Sequence, residues 1–237
     1  MKRLLLFILP LLALTFISCK PEEKEKPKKL VKTLEISDTE SGNLQYLLTH
    51  YYDNQDRLIR IGINALYSSN PDIQTDFYKI TYSTNTITIT DFENNVYVLQ
   101  LDDNGYITSY NGYYTYIYEN GYIKEVKGEN GRRTEYSWVN GNMVQSTHYK
   151  DSTSSISTCY EYNNRENLLN INDMTGLIYD YVTFEDGLRL KGCTSKNYLV
   201  KASQFTFNYQ FDADGYPTQM KRSIVGIDDH TYKFTYY

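Results

Sequence analysis

From Leu30 onward, short runs of alternating apolar and polar residues are interrupted by Asn, Asp or Gly at intervals of about ten residues, the rhythm of an all-β sandwich or barrel. No segment sustains a helical period. The stretch Tyr114-Thr115-Tyr116-Ile117-Tyr118, then Asn120-Gly121, then Tyr122-Ile123-Lys124-Glu125-Val126 is the unit in miniature. Tyrosine and β-branched residues suit a pleated, half-buried surface, and Asn-Gly accepts the positive φ that a two-residue type I′ turn demands.

Two turn classes recur. The longer sets an aromatic or apolar residue before Asp or Asn, then two variable residues and a closing position: Tyr52-Asp53 to Asp56, Leu101-Asp102 to Gly105, Tyr162-Asn163 to Glu166 and Phe211-Asp212 to Gly215. The shorter is Asn120-Gly121, Asn140-Gly141 and Asp186-Gly187, while Asn111-Gly112 and Asn130-Gly131 predict equally tight corners on the opposite rim. Loops this short force antiparallel neighbours and hence a meander. Candidate strands such as Thr86–Thr90, Val96–Leu99, Phe205–Tyr209 and Thr231–Tyr237 bring the total to about 15. An open sheet that wide leaves long edges and an uncovered face, with no amphipathic helix to cover it. The predicted fold is therefore a single antiparallel meander curled into a barrel or half-barrel, with a two-layer sandwich as second choice.

The chain begins differently. Lys2-Arg3, an apolar run from Leu4 to Ile17 and then Ser18-Cys19 have the form of a secretory signal, too short to cross a bilayer of ~30 Å as a helix. Residues 1–18 are predicted to be the signal, 19–29 a flexible charged tether (Lys20-Pro21-Glu22-Glu23 onward) and 30–237 one all-β domain. The small residue before Cys19 resembles the lipobox of bacterial lipoproteins, with Phe16 in place of the usual Leu, and implies lipidation of Cys19. The acidic pair Glu22-Glu23 is similar to the surface-export signal of Bacteroidetes lipoproteins. The longer turn motif resembles the tyrosine-aspartate repeat of RHS-type proteins and, more closely, a Bacteroidetes lipoprotein family of unknown function with a porin-like fold. That resemblance spans most of residues 40–237. It implies a curved sheet or barrel on a lipid-anchored outer-membrane protein, and it brings no activity and no catalytic residues.

Composition narrows the chemistry. The formal charge is −5, and loss of Lys2 and Arg3 with the signal makes it −7. An acidic chain lacks the basic footprint expected of a nucleic-acid partner. Tyrosine is the outlier, 26 against 9 Phe and 1 Trp, so bulk comes from rings with one wettable end. His50, His148 and His230 share no ligand spacing and sit beside strand aromatics, which reads as ordinary strand histidines. Asp102-Asp103-Asn104-Gly105 and Asp212-Ala213-Asp214-Gly215 look like fragments of a calcium loop but pass straight into strands, which reads as turns. No metal or other cofactor is expected. With Cys19 lipidated, Cys159 and Cys193 form an even pair that an oxidising compartment could join as a disulfide, or two independent buried thiols.

No nucleophile elbow or other catalytic motif occurs, so the expectation is a non-enzymatic binding or structural module at the cell surface, taking a glycan or protein ligand. In an extended strand Tyr114, Tyr116 and Tyr118 share one face, and exposed rings in a row would stack on sugars or grip a partner. The competing reading makes them core. Two alternatives remain: a glycan-directed hydrolase, which needs two carboxylates facing across a cleft, and a membrane-spanning barrel, which needs a continuous apolar outer band.

Overall fold

The computed structural model describes residues 28–65, 75–151, 153–169, 190–225 and 227–237. The expected signal, Cys19 and the Asp186-Gly187 corner lie outside them. Sixteen strands follow in order: β1 (Val31–Asp38), β2 (Leu44–Tyr52), β3 (Leu58–Ala65), β4 (Thr75–Tyr82), β5 (Thr86–Asp91), β6 (Val96–Leu101), β7 (Ile107–Tyr110), β8 (Tyr114–Glu119), β9 (Tyr122–Lys127), β10 (Arg133–Val139), β11 (Asn142–Tyr149), β12 (Ser155–Glu166), β13 (Asn197–Ala202), β14 (Phe205–Phe211), β15 (Pro217–Ile224) and β16 (Ile227–Tyr236). Each pairs antiparallel with the next. β16 returns to β1, with Leu34 opposite Phe234 and Ile36 opposite Tyr232, so the barrel is closed. Closure removes both sheet edges, which neither a half-barrel nor a sandwich would do. Among the described residues the helical content is one 3₁₀ turn, Glu129–Gly131.

The predicted corners fold for the expected reason. Asp53, Asp102 and Asp212 each turn one carboxylate oxygen onto two later amides: Gln55 and Arg57 at 2.8 and 3.0 Å, Asn104 and Tyr106 at 2.9 Å each, Asp214 and Tyr216 at 3.0 and 2.9 Å. The closing residue has positive φ in all three, including Asp56 at 59° in the glycine slot. Asp91 builds the same turn on the opposite rim with Asn94 at 66°. The corner expected at Tyr162 to Glu166 is absent: β12 runs through it, and Glu166 pairs with Asn197 after an irregularity. A Glu does not readily take the left-handed conformation that Asp56 tolerates, so the chain continues as strand.

Alternation sorts the two wall faces. Ile87, Ile89, Leu99, Tyr116, Phe207, Met220, Tyr232 and Phe234 point inward and are buried in one core cluster. Outward lie the threonines 86, 88 and 90 of β5 and the cross-strand pairs Glu35–Lys233 and Glu161–Lys201. This is the inverse of a spanning barrel, whose outer face is apolar. Strands β5 to β9 hold 6, 6, 4, 6 and 6 residues, against the ~9–11 needed to cross a bilayer. Full burial of a side chain such as Ile89 stabilises by about 1.5–3 kcal/mol.

The rim that carries both described termini and the turns at 53–57, 102–106, 120–121, 140–141 and 212–216 is here the lower rim. There, the aromatic that precedes a turn reaches back to the first residues of the preceding strand. Tyr52 Oη donates to Val31 O (2.8 Å), Tyr82 Oη to Leu58 O (2.8 Å), Trp138 Nε1 to Ile123 O (2.6 Å) and Tyr236 Oη to Pro217 O (2.6 Å). Burial pushes the Tyr82 hydroxyl up to about 12, so it remains a donor at neutral pH.

His50 is the exception inside the wall, 2% exposed with Nδ1 lacking a partner. Burial holds its imidazole down at about 4, against 6.5 for the free side chain. The unfolded chain therefore takes up a proton at His50 between pH 6.5 and 4 while the folded chain does not, and stability falls as pH drops through that window. The urea midpoint is expected to be level above pH 7 and to decline below 6.5, by on the order of 3 kcal/mol at full effect. His50→Leu should flatten that part of the profile, and an unchanged slope in the variant would refute the assignment.

Candidate functional site

Several seams of the barrel wall are thinly paired, β7–β8 and β13–β14 with two paired positions each, and the candidate site lies in another of them. β9 and β10 share only three paired positions, Lys127 with Arg133, Val126 with Thr134 and Glu125 with Glu135. Continued downward, the same register would set Ser137 opposite Ile123. Instead the Ile123 amide donates to Gly192 O (2.9 Å), and Ile123 O accepts from the Trp138 indole. The segment Leu190–Lys196, just before β13, has taken the place of a neighbouring strand.

That strap is itself firmly seated. Leu190, Cys193 and Ser195 are buried, Lys196 N donates to Gly141 O (2.9 Å), and Ser195 Oγ accepts from Met143 N (3.1 Å) while donating to Tyr162 Oη (2.9 Å). Gly192 has φ of +76°, and a Cβ there would stand 2.7 Å from Gly121 O and about 3 Å from the rings of Tyr106 and Tyr118. Only glycine fits so close to the hairpin corner.

Between the splayed strands opens a cleft of about 630 Å³, within the size range of small-molecule sites. Glu119, Asn120, Tyr122, Lys124 and Glu125 line one side, Glu135, Ser137, Trp138 and Asn140 the other. Tyr122 and Trp138 stack across it, centroids 4.7 Å apart at 27°. Trp138 packs against the core and Tyr122 is half-buried, so the pair forms an aromatic ledge along the cleft. Around it stand carboxylates, amides and one ammonium, with Lys124 Nζ 3.0 Å from Glu119.

At the cleft's closed end Glu125 and Glu135 lie directly cross-strand. Arg133 Nε sits between them, at 3.9 and 3.1 Å, Lys127 is 3.4 Å from Glu125, and Tyr149 Oη donates to Glu135 at 3.1 Å. Two carboxylates on one side sharing a guanidinium do not reproduce an acid and a nucleophile facing across a scissile bond. The cleft is furnished for hydrogen bonding and stacking.

The residues singled out from the sequence fall elsewhere. Tyr114, Tyr116 and Tyr118 share one face as expected, but that face is the interior: Tyr116 is 6% exposed and the other two pack half-buried against the core. A hairpin facing a packed interior places its alternate tyrosines as wall lining, so they form no external binding row. Tyr97, Tyr110 and Tyr114 continue the lining as a stack with centroids 6.1 and 5.8 Å apart. Tyr118 leans on Tyr106 (4.8 Å) and meets the Cys193 sulfur at 3.7 Å, behind the strap.

Cys159 and Cys193 are both free thiols. Cys159 lies on the outer face of β12, exposed, while Cys193 is buried inside, so the two are independent thiols and only one of them is buried. Burial pushes the Cys193 thiol up to about 12, which leaves it protonated and unreactive at neutral pH.

A closed sixteen-strand antiparallel barrel, apolar within and polar without, is thus the class this chain defines. It is similar to a porin-like protein from Bacteroides uniformis (TM-score 0.63, 17% identity, covering 89% of this chain and 99% of that one). It is also similar to a porin-like protein from Bacteroides vulgatus (TM-score 0.58, 14% identity, 88% and 99%). Likenesses at this identity establish the fold alone. No family model matches the chain, and no curated protein matches it. None of these comparisons supports a relation to tyrosine-aspartate repeats.

Two measurements test this geometry. Gly192→Ala should destabilise the barrel by about 1–3 kcal/mol in urea unfolding and alter Trp138 emission, because the strap cannot seat. In the native protein a thiol reagent should label Cys159 promptly and Cys193 only on unfolding, and equal rates would overturn the placement of Cys193.

Proposed function

We propose that this protein is a lipid-anchored, non-enzymatic saccharide-binding barrel of the outer membrane, with the β9–β10 cleft as its site. The observation that carries the proposal is the Tyr122–Trp138 ledge, set along the cleft and ringed by Glu119, Lys124, Glu135 and Asn140. Sugar rings present apolar C–H faces that stack on aromatics and equatorial hydroxyls that bond carboxylates and amides. A few placed polar groups around an apolar platform are what orient a small ligand. The anchor is inferred from the lipobox-like Ser18-Cys19, and a membrane-held barrel is compatible with a wall whose outer face carries Glu, Lys and Thr rather than an apolar band.

Trp138 is the chain's single tryptophan, so its emission reports on this cleft without ambiguity. Titration with a panel of neutral oligosaccharides should change that emission saturably. Tyr122→Ala should weaken binding at least tenfold, and Glu119→Ala and Ser137→Ala should weaken it with unchanged urea midpoints, since the Glu119 and Ser137 side chains are exposed at the cleft. A panel that leaves Trp138 emission untouched, or variants that bind as the parent does, would remove the cleft as the site.

A further inference from the structure

The chain's own leash limits what can reach the cleft. Residues just before β1 dock on the lower rim. Lys29 Nζ lies 2.7 Å from Asp212 and 2.6 Å from Asp214 in the 212–216 turn, its amide donates to Tyr216 Oη (3.1 Å), and its ammonium rests 5.4 Å from the Tyr216 ring centre. Lys28 adds an ion pair to Asp56 at 2.8 Å, and Tyr237 N donates to Leu30 O (3.0 Å). Each exposed ion pair is weak alone. Together with the ring contact and the hydrogen bonds they fix the place where the leash leaves the barrel.

Nine residue steps lead from Cys19 to Lys28, a reach of ~30 Å when fully extended. A lipid at Cys19 therefore keeps the lower rim within ~30 Å of the bilayer. The upper rim stands further off by the wall height, ~18 Å for strands of about seven residues tilted as in barrels.

The cleft opens at that same lower rim, between the corners Asn120-Gly121 and Asn140-Gly141. β9 is eight strands from β1 in a ring of sixteen, so cleft and leash stand at opposite sides of one rim. A ligand held in the bilayer on that side would give the barrel a second foothold. With the first contact made, the second becomes intramolecular, at an effective concentration of order millimolar.

Resting on the saccharide reading above, we propose that the cleft takes the neutral saccharide headgroup of a membrane lipid in the leaflet that holds the anchor, in preference to free oligosaccharide. Neutrality follows from charge. The chain is acidic overall, and Lys124, the one cation among the cleft-lining residues, already lies beside Glu119, while Glu125 and Glu135 line the cleft as well. An anionic headgroup would meet no unpaired counter-charge among the cleft-lining residues.

The experiment uses the full lipidated chain reconstituted in phosphatidylcholine vesicles with and without digalactosyldiacylglycerol, and free digalactose as the second arm, with Trp138 emission as the readout. The proposal expects a saturable change at lipid-sugar levels at least 100-fold below the free disaccharide needed for the same change. Tyr122→Ala should abolish both, and inserting a long Gly/Ser stretch in the tether should erode the vesicle advantage. Response to free disaccharide with no gain on vesicles overturns this inference and leaves the saccharide site standing. Response to neither overturns both, as does a vesicle response that Tyr122→Ala leaves intact.

Discussion

Backbone hydrogen bonding is the constraint on which this molecule turns. A chain with one 3₁₀ turn and no other helix among its described residues must pair its strands with one another, and sixteen short strands do so only by closing the ring. The lower rim is where pairing would fray, since strands end there in tight corners. Tyr52, Tyr82, Trp138 and Tyr236 lend a side-chain donor to a carbonyl of the preceding strand at that level. An OH on an otherwise apolar ring fills the interior with its body and closes the ladder with its tip. That double duty favours tyrosine over phenylalanine at Tyr52, Tyr82 and Tyr236.

The β9–β10 seam is this logic with a substitution. The hydrogen bonds that Ile123 would exchange with the neighbouring strand are supplied from Gly192 and the Trp138 indole. No buried backbone group at Ile123 is abandoned, so the wall parts without the cost of unsatisfied amides. Replacing a flat ladder by a strap on the inside and an indole across the gap turns a stretch of wall into a concavity. Tyr122, laid on Trp138, then lines the cleft with an aromatic surface where β9 and β10 no longer pair through their backbones.

Much of the architecture could be read before any coordinates, because turn chemistry is local. Asp53, Asp102 and Asp212 bond amides two and four residues away, and Asn120-Gly121 carries its own positive φ, so spacing alone located the corners. Glu166 misled for the same local reason: its neighbours matched the motif and its own conformational preference did not. The facing of Tyr114, Tyr116 and Tyr118 was beyond local reading. Period-two alternation says that they share a face, and only the sign of barrel curvature says that the face is inside.

The cleft was less legible still, for a physical reason. Ser137 and Ile123 are ordinary strand residues by type, and what separates them is a carbonyl at Gly192, 69 residues beyond Ile123 along the chain. Among the signals available, Trp138 was the closest to an indication: the sole tryptophan, two residues before Asn140-Gly141, at the position that Tyr118 and Phe184 hold in the other short-turn copies. The indole carries its donor on the ring edge, closer to the backbone than a tyrosine hydroxyl, and from there bonds Ile123 O. The departure from the repeat and the departure from regular pairing thus coincide at one residue. In a protein made from copies of one hairpin, the place where the copying fails is where a ligand can find a shape that the other strands do not offer.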